Sequence, residues 1–244
     1  MISIFKSKPK LSALIPSGFI DIHSHLLPGI DDGSKSLEET ETLLRQLKNI
    51  GFEKCITTPH TLPEVWENTR DGILQKFDET KSQLSENLQP MLDHTASEYM
   101  LGESFIDRLQ SEKLLTLKDN IVLIEMSYLN PPLALKDIIF EIQIKGYQPL
   151  LAHPERYLYY HKNLKAYELF KDSGVLFQLN LLSSVGYYGP SVAKAADYLL
   201  KNDFIDYVGS DVHHQKHVSS FESKIVITSE TKLCETLKNN TAFK

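Results

Sequence analysis

The chain has 244 residues, 41% of them hydrophobic and 24% charged, a globular composition that excludes a disordered chain. A formal net charge of -6 lacks the basic excess of a general nucleic-acid binder, and two cysteines exclude both a disulfide scaffold and a four-cysteine zinc site. No stretch approaches the roughly 18 apolar residues of a membrane span, and no apolar h-region follows the N-terminus. The expected location is therefore cytoplasmic, with Cys55 and Cys234 reduced. We expect one domain over residues 1–244, with an N-terminal extension at 1–17 in which Lys6, Lys8 and Lys10 form a solvated tail.

The elements then alternate. A strand at 19–23 runs into His23-Ser-His25. Ser36 and Glu39 form a capping box at the start of an apolar stripe of Leu37, Leu43, Leu44, Leu47 and Ile50, stopped by Gly51. A strand at 54–58 is ended by Pro59, which cannot donate to a ladder. Residues 69–87 read as a helix, 91–98 as a strand ending near Glu98, and 121–125 as a buried strand. Helices at 133–145, 161–173, 191–202 and about 229–239 alternate with strands at 148–152, 175–179 and 205–209. Seven strands of 4–8 residues between helices predict an α/β fold built from βα units, as a closed or nearly closed barrel or an open doubly wound sheet.

Six of those strands deliver a metal-binding residue type at the C-terminal end: His23 and His25, His60, Glu98, Glu125, His153, and Asp211 with His213. In a parallel barrel these ends converge where barrel enzymes build their sites. His-x-His and Asp-x-His each place two side chains on one side of an extended strand, although either pair alone is also an ordinary strand edge. With Asp32 the set reaches nine, more than one ion needs. Mixed imidazole and carboxylate donors suit Zn, Mn or Fe, and two or three clustered ions suit phosphoryl transfer. His94 lies inside a strand and reads as structural, and His161 reads as surface. His214 and His217 stand behind the ligands or face substrate. Arg156 has two readings, a fork for phosphate oxygens or a salt bridge to Glu155 or another barrel-top acid. A cysteine phosphatase is excluded, because Thr61 and Asn240 stand where Cys-x5-Arg needs arginine.

The motifs Phe19-Ile-Asp-Ile-His-Ser-His25, Leu27-Pro-Gly-Ile-Asp-Asp-Gly33, Thr57-Thr-Pro-His60, Ser97-Glu-Tyr99, Ala152-His-Pro-Glu-Arg156 and Gly209-Ser-Asp-Val-His213 resemble the polymerase-and-histidinol-phosphatase (PHP) superfamily. Within it they are most similar to the bacterial manganese-dependent protein-tyrosine phosphatases of the CpsB/CapC/YwqE type. The resemblance implies a distorted seven-stranded βα barrel, TIM-like, with two to three Mn ions, Fe or Zn being the other candidates. It implies that His23, His25, Glu98 and Asp211 hold one ion, that Glu98, Glu125 and His153 hold a second, and that Asp32, His60 and His213 hold a third. It also implies Arg156, Asp211 and His213 as catalytic, and as substrate a phosphotyrosine protein, the tail of a membrane-associated tyrosine kinase controlling capsule or exopolysaccharide synthesis. Relatives commonly carry an arginine several residues after Asp-x-His; here the stretch is His213-His-Gln-Lys-His-Val-Ser219. A small-molecule phosphatase of the histidinol-phosphate type, or a metal-bound interaction protein without turnover, are the alternative functions.

Overall fold

The computed structural model describes residues 7–244. Nine short strands, all in parallel pairings, form two sheets. The first orders β1 (Phe19–Asp21), β2 (Phe52–Thr57) and β4 (Leu92–Thr95). The second orders β3 (His60–Thr61), β5 (Glu98–Met100), β6 (Ile121–Glu125), β7 (Gln148–Ala152), β8 (Leu176–Asn180) and β9 (Tyr207–Gly209).

The nine segments occupy seven positions, because two strands are each broken once. β2 stops before Thr58-Pro59 and resumes as β3; β4 stops before Ala96-Ser97 and resumes as β5. The partners stay paired across both breaks, with Ala96 N–H donating to Thr57 O (2.9 Å) and Glu98 N–H to Pro59 O (3.1 Å). Glu98 therefore opens a strand segment instead of ending one, a correction to the single strand expected at 91–98.

The last position meets the first through side chain as well as backbone. Asp211 N–H donates to His23 O (2.8 Å) and His25 N–H to Val212 O (2.9 Å), around a parallel bridge between Ser24 and Val212. At the other end the Asn240 amide spans the gap, donating to Ile20 O and Val208 O (2.8 Å each) and accepting from Val208 N–H (3.1 Å). Asn240 is 1% exposed. Its replacement by alanine strands three buried backbone groups, so thermal unfolding should register a loss of about 3 kcal/mol; an unchanged melting temperature would show that the two ends do not depend on it.

Along the strands every second side chain points inward. Ile20, Ile22, Ile56, Leu123 and Leu150 fill the interior with Phe243 and Leu117. The outer faces pack on helices α1 (Leu37–Ile50), α2 (Arg70–Gln83), α3 (Glu103–Ser111), α4 (Leu135–Ile144), α5 (Ala166–Asp172), α6 (Pro190–Lys201), α7 (Gln215–Ser219) and α8 (Glu230–Asn239). The N-cap half of the expected capping box forms, with Ser36 accepting from Glu39 N–H, but the Glu39 carboxylate accepts from Lys35 N–H and not from Ser36 N–H. α3 has no counterpart in the sequence reading. The N-terminal segment also departs from expectation. Leu11 is fully buried, Lys8 Nζ donates to Val226 O and Ile227 O (2.5 and 2.7 Å), and Lys10 pairs with Glu222 (2.8 Å). Residues 8–15 are thus packed onto the body, not a solvated tail; Lys6 lies outside the described residues. Among the described residues no helix is long and apolar enough to cross a membrane.

Candidate metal centre

Most of the expected site residues sit at or just beyond the C-terminal end of a strand position, while His60 and Glu98 open the second segments of the broken strands and Asp32 lies in the loop after β1. Glu125 ends β6, His153 follows β7, and Asp211 and His213 follow β9. His23 and His25 continue β1, and the two breaks turn His60 and Glu98 into the same space. Two of these residues are left-handed without being glycine: His153 (φ 35°) and Asp211 (φ 52°). Such strain persists where the surroundings over-determine the conformation, which is common at functional sites.

Two glycines allow the close approach of the first histidines. A Cβ on Gly33 would lie 2.5 Å from the His25 Cβ, and one on Gly209 would lie 2.6 Å from the His23 Cβ. Only glycine fits at either position.

Glu98 is the centre of the cluster. Its Oε1 lies 3.0 Å from His153 Nε2, and its Oε2 lies 3.2 Å from His23 Nε2, 3.2 Å from His60 Nδ1 and 3.5 Å from His25 Nε2. Asp211 Oδ1 lies 3.3 Å from both His23 Nε2 and His25 Nε2. Three groups of converging donors result: His23, His25, Glu98 and Asp211; His25, Asp32, His60 and His213; and His60, Glu98 and Glu125. The first matches the expected set. In the second and third, His60 serves both groups (2.8 Å from Glu125 and 3.5 Å from Asp32), and His153 reaches the cluster through Glu98.

The protons of the first pair are turned outward. His23 Nδ1 donates to Gln178 Oε1 (2.7 Å), whose amide nitrogen is committed to Leu179 O. His25 Nδ1 donates to Asp31 Oδ2 (2.8 Å). With the rings neutral, both Nε2 lone pairs face inward, 3.2 Å apart, beside two carboxylates. His213 is set the same way, its Nδ1 donating to Asp211 O (2.9 Å) and its Nε2 facing Asp32 (3.3 Å). Acceptors converging without a donor need a cation between them, and hydrogen bonds that fix the outer nitrogen are the usual support of a metal-binding histidine.

The charges agree. Burial works against a charge on the His23, His25 and His60 rings, but the carboxylates around them outweigh it and push all three up, toward the protonated form. Against burial, His23 and His60 in turn hold the Glu98 carboxyl well below the usual range. A proton on these rings and a cation between them are alternative sources of the positive charge that the carboxylates call for. Burial and the neighbouring Glu98 push Glu125 up, as expected where a positive charge is needed. His153 is brought down to about 4 by burial and by Arg156, so its ring is neutral. Its Nδ1 is buried with no partner, as is Glu155 Oε2 two residues along. The residues present fit a cluster of divalent ions.

Residues that sequence reasoning missed lie behind the ligands. Asp31 also accepts from the N–H of Gly33 and of His60, and it is Asp32, half-exposed, that stands among the histidines. Asn180 Nδ2 donates to Asp211 Oδ2 (2.8 Å). Trp66 stacks on His60 (5.1 Å, 15°). His217 Nδ1 accepts from His213 N–H (3.2 Å) and His214 caps α7, while Lys216 lies 5.9 Å above Tyr187. His94 is bonded to Asp93 and Leu117 O, and His161 to Glu155 O, both structural. Arg156 pairs with Asp211 Oδ2 at 2.7 Å, the barrel-top salt bridge of the two readings, and lies between the rings of Tyr128 and Tyr188. Substituting Asp31 with alanine should weaken metal retention by ~10–100-fold, read by chelator competition; retention equal to wild type would mean that His25 orients itself.

The model of the family described as capsular polysaccharide synthesis, CpsB/CapC, matches residues 19–236. The chain belongs to the CpsB/CapC family. It is 27% identical to the tyrosine-protein phosphatase YwqE of Bacillus subtilis, over 81% of this chain and 78% of that protein. It is 28% identical to the tyrosine-protein phosphatase CpsB of Streptococcus pneumoniae, over 80% and 83%. The solved structures of YwqE and CpsB, described as metal-dependent tyrosine phosphatases, include a match with a TM-score of 0.75 at 26% identity, covering 90% of this chain and 94% of that one. An amidohydrolase from Mycoplasma synoviae shares the fold alone, with a TM-score of 0.51 at 13% identity.

Proposed function

We propose that this CpsB/CapC-family chain is a metal-dependent protein-tyrosine phosphatase. Its substrate is a phosphotyrosine protein, the tail of a membrane-associated tyrosine kinase of capsule or exopolysaccharide synthesis; its metal is Mn, as two to three ions; its location is the cytoplasm. The observation that carries the reading is the inward convergence of His23 Nε2, His25 Nε2, Glu98 and Asp211, with both imidazole protons held outward by Gln178 and Asp31.

His23, His25, Asp32, His60, Glu98, Glu125, His153, Asp211 and His213 would hold the ions. Bound divalent cations supply a deprotonated water as nucleophile and neutralise the phosphoryl oxygens. The chain's own part is positioning. Asp211 turns one oxygen to the histidines and the other to Arg156 and Asn180, so its orientation is fixed before substrate arrives. Arg156 keeps a permanent positive charge at the rim; burial works against it, but the groups around it, Asp211 among them, outweigh that. That charge favours the phosphate dianion and the charge that develops on it. The leaving phenolate has a conjugate acid near ~10 and departs with less protonation than an alkoxide.

The test is phosphate release from a phosphotyrosine peptide by chelator-stripped protein reloaded with Mn, Fe or Zn, run beside histidinol phosphate. Metal-restored turnover of the peptide is the expected result. Turnover confined to histidinol phosphate would replace the reading with a small-molecule phosphatase.

A further inference from the structure

A phosphotyrosine differs from an alkyl phosphate in one respect that a site can read at once, the aromatic ring a single oxygen away from phosphorus. A site that selects it needs an apolar or aromatic wall about one ring's width from the reacting centre.

Tyr128 stands at that distance. Its ring centroid lies 5.9 Å from that of His153, at 27°, and His153 is itself 3.0 Å from Glu98. The Arg156 guanidinium carbon lies 4.9 Å from the Tyr128 centroid. The ring therefore borders both the cluster and the cation at its rim, yet it is 45% exposed. Neighbouring tyrosines are committed to the fold. The Tyr157 hydroxyl bonds Met126 N–H and Ala152 O, that of Tyr159 donates to Ser127 O, and that of Tyr188 accepts from Asn180. The Tyr128 hydroxyl has no hydrogen-bond partner among the described residues. Leu129 beside it is 87% exposed and extends the apolar edge. Meanwhile the Tyr159 bond to Ser127 O braces the turn that carries Tyr128. A large ring left half-open on a braced turn, its hydroxyl unused, contributes little to the core and is well placed for a ligand.

We propose that Tyr128 is a specificity-determining residue, the wall against which the aryl ring of phosphotyrosine seats. The inference rests on the phosphatase reading and sharpens it to aryl over alkyl phosphomonoesters. Aromatic pairs in offset or edge-on arrangement attract beyond their buried area, and an alkyl phosphate has nothing to place there.

The test compares phenylphosphonate with methylphosphonate, neither hydrolysable, binding to Mn-loaded protein in a calorimeter. The wild type should prefer the phenyl compound about tenfold, Tyr128→Ala should lose that preference, and Tyr128→Phe should keep it, because the ring and not the hydroxyl makes the contact. In turnover, the ratio of kcat/KM for a phosphotyrosine peptide to that for its phosphoserine counterpart should fall about tenfold in the alanine variant only. A wild type without phenyl preference, or an alanine variant that retains it, overturns the proposal. So does equal weakening of both phosphonates, which would mean that Tyr128 acts by holding Arg156. Phenyl preference without turnover of either peptide would instead overturn the phosphatase reading while leaving the aryl selectivity of Tyr128 standing.

Discussion

Glu98→Gln should lower kcat/KM on a phosphotyrosine peptide by ~10³-fold or more, equivalent to ~4 kcal/mol of lost stabilisation. Glu98 is the one carboxylate within reach of His23, His25, His60 and His153 together, so it is the group that joins the donor sets into one cluster. The amide keeps the shape and removes the charge. It also presents a donor where only acceptors converge, which excludes a cation from that position. Metal analysis should therefore show fewer ions per chain in the variant, while circular dichroism remains that of the wild type. A variant with full metal content and full turnover would remove Glu98 from the centre of the mechanism.

Arg156→Ala should cost ~10²–10³-fold in kcat/KM, with Arg156→Lys recovering little of it. The guanidinium carbon lies between the rings of Tyr128 (4.9 Å) and Tyr188 (4.2 Å), and its Nη1 bonds Asp211 Oδ2. Lysine restores the charge without the plane. Breaking a buried pair from one side leaves the remaining charge uncompensated, at about 3–5 kcal/mol; Asn180 still holds Asp211 Oδ2 and lessens the damage. Because Asp211 is both a metal-facing carboxylate and the partner of Arg156, the alanine variant should lose metal more readily as well as turn over more slowly. Asn180→Ala, acting on the same oxygen, should reproduce part of the metal loss. Unaltered metal affinity with a raised KM alone would assign Arg156 to phosphate and not to Asp211.

The convergence of these side chains is legible in the sequence for a geometric reason. Parallel strands present their C-terminal ends on one face, and His23-x-His25 and Asp211-x-His213 fall where the strand pattern stops. Pro59 marks the end of the first segment at the second strand position, but the resumption of that strand at His60 and the break at Ala96-Ser97 in the third position are not legible. They depend on contacts between the two segments, such as Ser97 Oγ with Pro59 O at 2.9 Å, and no local propensity encodes them. α3 was missed because it starts at Gly102 with no side-chain cap; the spacing of Phe105 and Leu109, both buried, was its available signal. The supporting residues were hidden by distance along the chain. Gln178 holds His23 from 155 positions away, and a lone glutamine inside a strand carries no mark of that role. The resemblance points only to Asp32 of the adjacent acids, but the two divide the work, Asp31 orienting His25 and Asp32 facing His60 and His213. Arg156 reads chiefly as a fork for phosphate oxygens, and the contact that the fold displays is its salt bridge to Asp211.

The most direct test of the metal-dependent phosphatase is a titration of chelator-stripped protein with Mn, reading ions bound per chain and phosphotyrosine hydrolysis in the same samples. Turnover absent in the stripped protein, rising with occupancy and complete at two to three ions per chain, is the predicted result, with His153→Ala failing to recover. Full hydrolysis by protein that holds no metal would contradict it.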